Sequence, residues 1–180
     1  MLAAALKVFA RRGLIGTKMS MISEEAGISQ GLMYRYFESK NELFTTLVQQ
    51  AMNESVSGIQ EVEKMSGTPL QKLKFLTEMI LEEDGQAYFM LIHHARTSDE
   101  VPPETKKLFE DYSMDAYIVL LEPLIKEGQR IGELAQDDYR EMISNYFLVI
   151  SGLMTLGIHN FEGFQMPRAD VLLRMFTKER

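Results

Sequence analysis

The 180-residue sequence predicts an all-α fold of about nine helices, an N-terminal three-helix helix-turn-helix head followed by a larger helical body. Three observations lead there. Apolar residues recur at three- and four-residue spacing along most of the chain, and the alternating Val, Ile and Thr runs that mark strands are missing. Capping residues and glycines divide this pattern into lengths suited to single helices. Charge divides the chain as well. Residues 1–46 carry six basic side chains against four acidic ones, residues 47–180 thirteen against twenty-two, within a net charge of -7. A slightly basic head on an acidic body suits a nucleic-acid-reading module joined to a second one, so the expected domains are 1–46 and 47–180.

Leu2, Leu6, Phe9 and Ala10 form one apolar face of a first helix, which Gly13 is placed to stop. Thr17 or Lys18 precedes a short helix through Ile22 and Ala26, ended by Gly27, and Ser29 can cap a third helix over 30–37. Ser39-Lys40-Asn41-Glu42 reads as a capping box, the Ser39 hydroxyl accepting from the Glu42 amide and the Glu42 carboxylate from the Ser39 amide. A long helix then runs past Leu43, Phe44, Leu47, Val48 and Met52 toward Lys64. Ser66-Gly67-Thr68-Pro69 breaks the chain before a helix over 70–83, and Gly85 separates this from one carrying Tyr88 to His94. Residues 97–104, with Pro102-Pro103, form the clearest loop. A helix over 105–131 should be kinked at Pro123 and end near Gly128 and Gly132. An uncharged helix around 138–160 and a last one over 168–178 complete the chain.

Several function classes fall away. Hydrophobic residues at 46% and charged residues at 25% argue against disorder. The absence of Cys excludes disulfides, thiolate zinc sites and Cys nucleophiles, and fits a reducing cytoplasm. Residues 142–161 carry no formal charge, but eight of them are polar or Gly, too many for a lipid-facing helix, so no membrane partner is expected. The start, MLAAALKVFARRG, lacks the basic region and cleavage site of a signal peptide, and the expected location is cytoplasmic. No Gly-rich phosphate loop, H-E-x-x-H or G-x-S-x-G occurs, so an enzyme is not expected. His93 and His94 point about 100° apart on a helix and no carboxylate spacing joins them or His159 in a ligand set, so neither metal nor cofactor is expected.

The informative constellation lies between residues 18 and 37. Two short helices about Ala26-Gly27-Ile28-Ser29 cannot bury much alone, but Leu6, Phe9, Leu43 and Phe44 can roof them. The second projects Gln30, Tyr34, Arg35 and Tyr36, and Gly31 lets a backbone approach closely. In a helix-turn-helix such a helix enters the major groove while side chains and helix N-termini hold phosphates. A small helical bundle whose tyrosines merely cover its surface would show the same periodicity.

The residues themselves go further. GLIGTKMSMISEEAGISQGLMYRYFESKNELF, residues 13–44, resembles the DNA-binding signature of the TetR family of bacterial transcriptional regulators. Glu127-Gly128-Gln129-x-x-Gly132-Glu133-Leu134 resembles the family's C-terminal half. The resemblance implies double-stranded DNA contacts at Lys18 and Ser20 at the start of the second helix, and at Ser29, Gln30, Gly31, Tyr34, Arg35 and Tyr36 on the third. It also implies a phosphate contact at Lys40. Gln30 would read a base through adenine N6 and N7, and Tyr34 and Tyr36 would hold phosphates. Two departures stand out: Met19 and Met21 occupy positions often polar in the family, and the chain begins inside the first helix, where relatives usually have a basic arm.

The body should pair and sense. The helix around 138–160 is apolar nearly all round and must be covered on both sides. The resemblance places a homodimer there, built by the last two helices of each subunit, with Val149, Leu153, Leu156, Leu172 and Phe176 at the interface beside Leu173 and Met175. It also places Phe75, Met79, Phe89, Met90, His93, Tyr112, Tyr117, Leu121, Tyr146 and Met154 on helices that wrap a pocket, although they could equally fill a core. Thirteen methionines suit an adaptable apolar site. The implied function is a one-component regulator, read as a repressor, that binds palindromic operators as a dimer and is released by a small hydrophobic effector. The competing readings are a regulator controlled by a protein partner, with no small-molecule pocket, and an enzyme whose helical active site leaves no motif.

Overall fold

In a computed structural model describing residues 1–111, 113–158 and 163–177, every regular element is helical. The helices are α1 (Leu2–Arg12), α2 (Met19–Glu25), α3 (Gln30–Tyr34), α4 (Lys40–Lys64), α5 (Pro69–Leu81), α6 (Glu83–Thr97), α7 (Pro103–Asp111), α8 (Met114–Arg130), α9 (Tyr139–Ile158) and α10 (Ala169–Leu172), the last running into a 3-10 turn over Leu173–Phe176. They form two compact units, Met1–Glu54 with Glu83–Tyr112, and Ser55–Glu82 with Ser113–Arg180. The unit holding the first three helices thus also takes in α6 and α7. No helix among the described residues is long and apolar enough to cross a membrane.

The first unit is organised around α1. Its apolar face buries Ala5, Leu6, Val8, Phe9 and Ala10, and Phe9 meets Phe44 of α4 edge to face at 5.1 Å. Met19, Ile22, Met33, Leu43, Leu47 and Leu91 complete that core; each large apolar side chain so buried contributes about 1.5–3 kcal/mol. Met19, a departure from the family pattern, is therefore core, and Met21 packs partly against it. A hydroxyl pair, Thr45 with Thr105 at 2.7 Å, links α4 to α7.

The turn between α1 and α2 is tightly specified. Gly13 takes φ 64°, a conformation that favours glycine, and its amide donates to the Phe9 carbonyl at 2.8 Å. At Gly16 a Cβ would lie 2.5 Å from the Arg12 carbonyl oxygen. The Thr17 hydroxyl, fully buried, donates to the Gly13 carbonyl at 2.7 Å. Lys18 then takes the N-cap position of α2 without a side-chain cap.

Four expectations are corrected. The third helix stops at Tyr34, not 37: the Arg35 and Tyr36 amides reach back only three residues, to Leu32 and Met33, and this tighter turn brings Phe37 against the core. The box at Ser39 is half formed, since the Ser39 hydroxyl accepts from the Glu42 amide but the Glu42 carboxylate accepts from the Glu38 amide instead. Gly85 lies within the first turn of α6 rather than before it. The long helix over 105–131 is two helices, because Ser113 caps a new one by accepting from the Ala116 amide.

In the second unit a complete capping box joins Thr68 and Gln71, with Pro69 at the first helical position of α5. Pro123 sits inside α8, which continues past it to Arg130. The Gln129 side chain then donates to the Ala135 and Asp137 carbonyls at 2.9 and 2.8 Å, shaping the turn into α9. Gly128 makes room for Leu134, whose Cδ1 would lie 2.5 Å from an added Cβ. Tyr146 is the hub of this core, meeting Phe147 and Phe176 at 5.6 Å each. The Thr77 hydroxyl donates to the Leu73 carbonyl, so the Tyr146 hydroxyl donates to Thr77 Oγ1 at 2.9 Å.

The tight turn yields a contrast between two glycines. Gly16→Ala should lower stability by about 1–3 kcal/mol, because the obstructing atom is backbone and cannot swing away. Gly31→Ala, with open space at its Cβ, should be neutral or raise stability by up to about 1 kcal/mol by favouring helix. Urea denaturation of both variants checks the pair, and equal effects would refute the reading of the turn.

Candidate nucleic-acid interface

The first unit supports the reading segment from below. Ser29 caps α3 by accepting from the Leu32 amide at 3.2 Å, and Met33 of α3 is completely buried beneath it. At 100° per residue, Gln30, Tyr34 and Gly31 lie about 60°, 100° and 160° round the helix from Met33, and all three are exposed. Tyr34 is 52% exposed, and Tyr36, in the turn after the helix, 65%. Arg35 joins Tyr36 in that turn and is exposed too. Lys18 and Ser20, at the start of α2, are also open to solvent.

Lys40 is placed differently from the rest. It is half-buried at the start of α4, and its ammonium donates to the Leu14 carbonyl at 2.7 Å and the Thr17 carbonyl at 2.8 Å. Two of its three N–H groups are thereby engaged within the protein, which the expected phosphate role did not anticipate. Sequence reading could not find this, because the partners lie 26 and 23 residues away.

The residues expected to line a pocket have varied surroundings. In the first unit Met90 is buried, while Phe89 and His93 are half-buried. Burial, then the neighbouring His94, pushes the His93 imidazole below its usual range. Tyr112 lies outside the described residues. In the second unit Leu121 and Met154 are deep in the core, and Tyr117 is buried with its hydroxyl 2.7 Å from Ser55 Oγ. Burial pushes the Tyr146 hydroxyl up to about 12 against a smaller opposing effect of Thr77. Phe75 and Met79 are exposed, and Phe75 lines an open groove of about 280 Å³ with Met65, Gln71, Lys72 and Glu78. Among the described residues no three His, Asp or Glu side chains come close enough to hold a metal ion.

The residues expected at a subunit interface also separate. Val149, Leu153 and Leu172 are half-buried and Leu156 is exposed. Phe176 is 1% exposed and packs on Tyr146 within the chain, leaving no face for a partner. The final helix, expected over 168–178, is one α-helical turn plus a 3-10 turn, and this tightening turns Leu173 and Phe176 inward. Leu148, not anticipated, is 71% exposed. It lines up with Gly152 and Leu156 at four-residue spacing, a stripe readable from the sequence once α9 is known to bury Ile143, Tyr146, Ile150 and Met154.

Comparison with known proteins agrees with this geometry. Residues 1–47 match the model of the family described as bacterial regulatory proteins, tetR family. The "HTH-type transcriptional activator FasR" of Mycolicibacterium smegmatis is 27% identical over 124 residues, covering 67% of this chain and 57% of that protein. The "Fatty acid metabolism regulator protein" of Bacillus subtilis is 21% identical over 91% of this chain and 84% of its own length. Among solved structures, a transcriptional regulator from Saccharomonospora viridis in complex with choline aligns with a TM-score of 0.71 and 19% identity over 96% of this chain and 89% of that one. The regulator FadR of Bacillus subtilis in complex with stearoyl-CoA aligns with a TM-score of 0.63 and 20% identity, covering 97% and 92%. At such identity the two structures share the fold, while the relatives named are transcriptional regulators and not enzymes. With its helix-turn-helix, its all-helical body and this match over residues 1–47, the chain carries the N-terminal DNA-binding domain of the tetR family of bacterial regulatory proteins.

Proposed function

We propose that this chain is a one-component repressor in which residues 1–46 read a palindromic operator and residues 47–180 pair with a second copy and respond to a small apolar or amphipathic effector. The observation that carries the reading is the placement of α3. Met33 anchors the helix in the core while Gln30, Gly31 and Tyr34 all face solvent. A helix held this way can lie in a major groove without losing its support. Gln30 presents the amide that pairs with adenine, the Tyr34 and Tyr36 hydroxyls serve phosphates, and Ser20, Ser29, Lys18 and Arg35 flank them.

The chemistry of the interior supports an apolar effector. Among the described residues the buried polar side chains are Thr17, Ser23, Thr77 and Thr105, none of them charged. A ligand held inside would find few ionic partners and many methyl and aromatic groups. The similar structures in complex with stearoyl-CoA and with choline support a small-molecule effector. Release would follow from a coupling free energy, the effector favouring a conformation in which the two heads no longer match successive major grooves. Pairing is supported by the apolar stripe on α9, where Gly152 has open space at its Cβ between exposed Leu148 and Leu156 and admits close approach of another helix.

Selection from random duplexes should return a palindrome whose binding weakens steeply with salt. Gln30→Ala should relax the base preference at one position per half-site, by about 1–3 kcal/mol, and Tyr34→Phe should weaken binding to all sequences alike. Failure of the unmodified protein to select any DNA would remove the reading.

Sedimentation of the unmodified protein should show a dimer. Leu148→Glu should give a folded monomer, since a side chain so exposed contributes little within the chain while a charge in a paired seam is costly. A monomeric unmodified protein sinks the pairing. Stearoyl-CoA and choline, titrated separately onto the protein–operator complex, should differ, one of them weakening DNA binding about 5- to 150-fold. Retention of the operator with both, and with a panel of apolar molecules, would favour control by a protein partner.

A further inference from the structure

We propose that Lys40 is a positioning residue of the reading head, clamping the α1–α2 turn through its ammonium rather than holding a DNA phosphate. The inference rests on the DNA-reading function proposed above. The end of a helix and the turn after it leave carbonyl groups without helical donors. Here the Phe9 carbonyl accepts the Gly13 amide, the Ala10 carbonyl lies 3.0 Å from His94 Nε2, and the Gly13 carbonyl accepts the Thr17 hydroxyl. The Leu14 and Thr17 carbonyls accept Lys40 Nζ at 2.7 and 2.8 Å. Leu14 has only a long second bond, from the Thr17 amide at 3.4 Å.

This placement has physical logic. The carbonyl end of α1 carries partial negative charge, so a cation there is favoured. A compact ammonium with three rotatable donors can satisfy two carbonyls three residues apart. Lys18, the N-cap of α2, follows Thr17 directly, so Lys40 ties the start of α4 to the entry of α2. Without the clamp, Thr17 keeps its hydroxyl bond to Gly13, but the turn loses its link to α4 and Lys18 and Ser20 lose their fixed position. For Lys40 to turn fully to a phosphate it would have to release two charge-assisted hydrogen bonds, the stronger sort.

The clamp and a phosphate contact differ in their response to salt. In Lys40→Met, affinity of the folded fraction for the selected operator should fall about tenfold, the order lost with a hydrogen bond to a charged group. The slope of log affinity against log salt should not change. Hydrogen exchange of the free variant should show faster-exchanging amides across residues 13–20. A slope shallower by about 0.9 per subunit, or unchanged exchange in that turn, would overturn the proposal. A second measurement needs no variant: the Lys40 ammonium signal in the NMR spectrum of the free, unmodified protein should exchange slowly with water and keep its shift when operator is added. Rapid exchange, or a shift with coupling to phosphorus, refutes the clamp even if Lys40→Met fails to fold. If the unmodified protein binds no DNA the functional reading fails instead, and the clamp is decided by the two free-protein measurements.

Discussion

The carbonyls at the end of α1 and in the turn after it draw donors from three places in the chain: Thr17 within the turn, Lys40 on α4 and His94 on α6. A buried backbone carbonyl without a partner is costly, so these donors do more than decorate the turn. They fix how α1 meets α2, and α2 in turn supports α3. Gly13 and Gly16 are the complement of this arrangement. One supplies the positive φ, and the other leaves space where a Cβ would strike the Arg12 carbonyl. His94 also sits against Gly13, whose added Cβ would come within 3.6 Å of its ring. The head is therefore closed by polar bonds at one end of α1 and by the Phe9–Phe44 contact along its face.

The division between support and reading follows from helix length. Five residues of α3 form little more than one turn, too few to be stable as a helix by themselves. Burial of Met33 and the Ser29 cap supply what so few intrahelical hydrogen bonds cannot. Changes at exposed Gln30 or Tyr34 should therefore leave the segment folded. The aromatic hub of the second unit follows a different rule. Tyr146 is wholly buried, and its hydroxyl is tolerated because Thr77 accepts from it while satisfying its own donor on Leu73. Such a side chain organises a core and leaves little of its polar end for a ligand.

Local signals were legible in the sequence and non-local ones were not. The Gly13 stop, the Ser29 cap and the Thr68-Pro69 helix start each depend on residues within a few positions, and each appears in the structure. The Ser113 start is equally local but lay within an apolar pattern that ran on through it, so periodicity hid the break. The family resemblance pointed to side chains of α3 and the turn after it, and the structure adds that Gln30, Gly31, Tyr34, Arg35 and Tyr36 are all exposed. Lys40 looked like an exposed cation at a helix N-terminus, because its carbonyl partners are set by packing rather than by sequence neighbours. Phe176 looked like one face of a long terminal helix, and only the tightening to a 3-10 turn makes it core.

Charge sets the last constraint on how such a head can bind. Residues 1–46 carry only two more basic than acidic side chains, and the remaining chain has nine more acidic than basic ones. A protein with this balance cannot draw affinity from a broad positive field. Acidic groups more than about 8–10 Å from the phosphates are screened at physiological salt, so the body's charge need not oppose binding at the contact itself. On the proposed reading what remains is a small number of placed groups, the Lys18 and Arg35 cations with backbone amides and tyrosine hydroxyls, each effective only at the right distance. If Lys40 spends its charge inside the head, that number falls further, and geometry must supply what electrostatic excess does not. The same argument explains why the turn after α1 is built with so little freedom: an error of an ångström there would be repeated at every contact that α2 and α3 make.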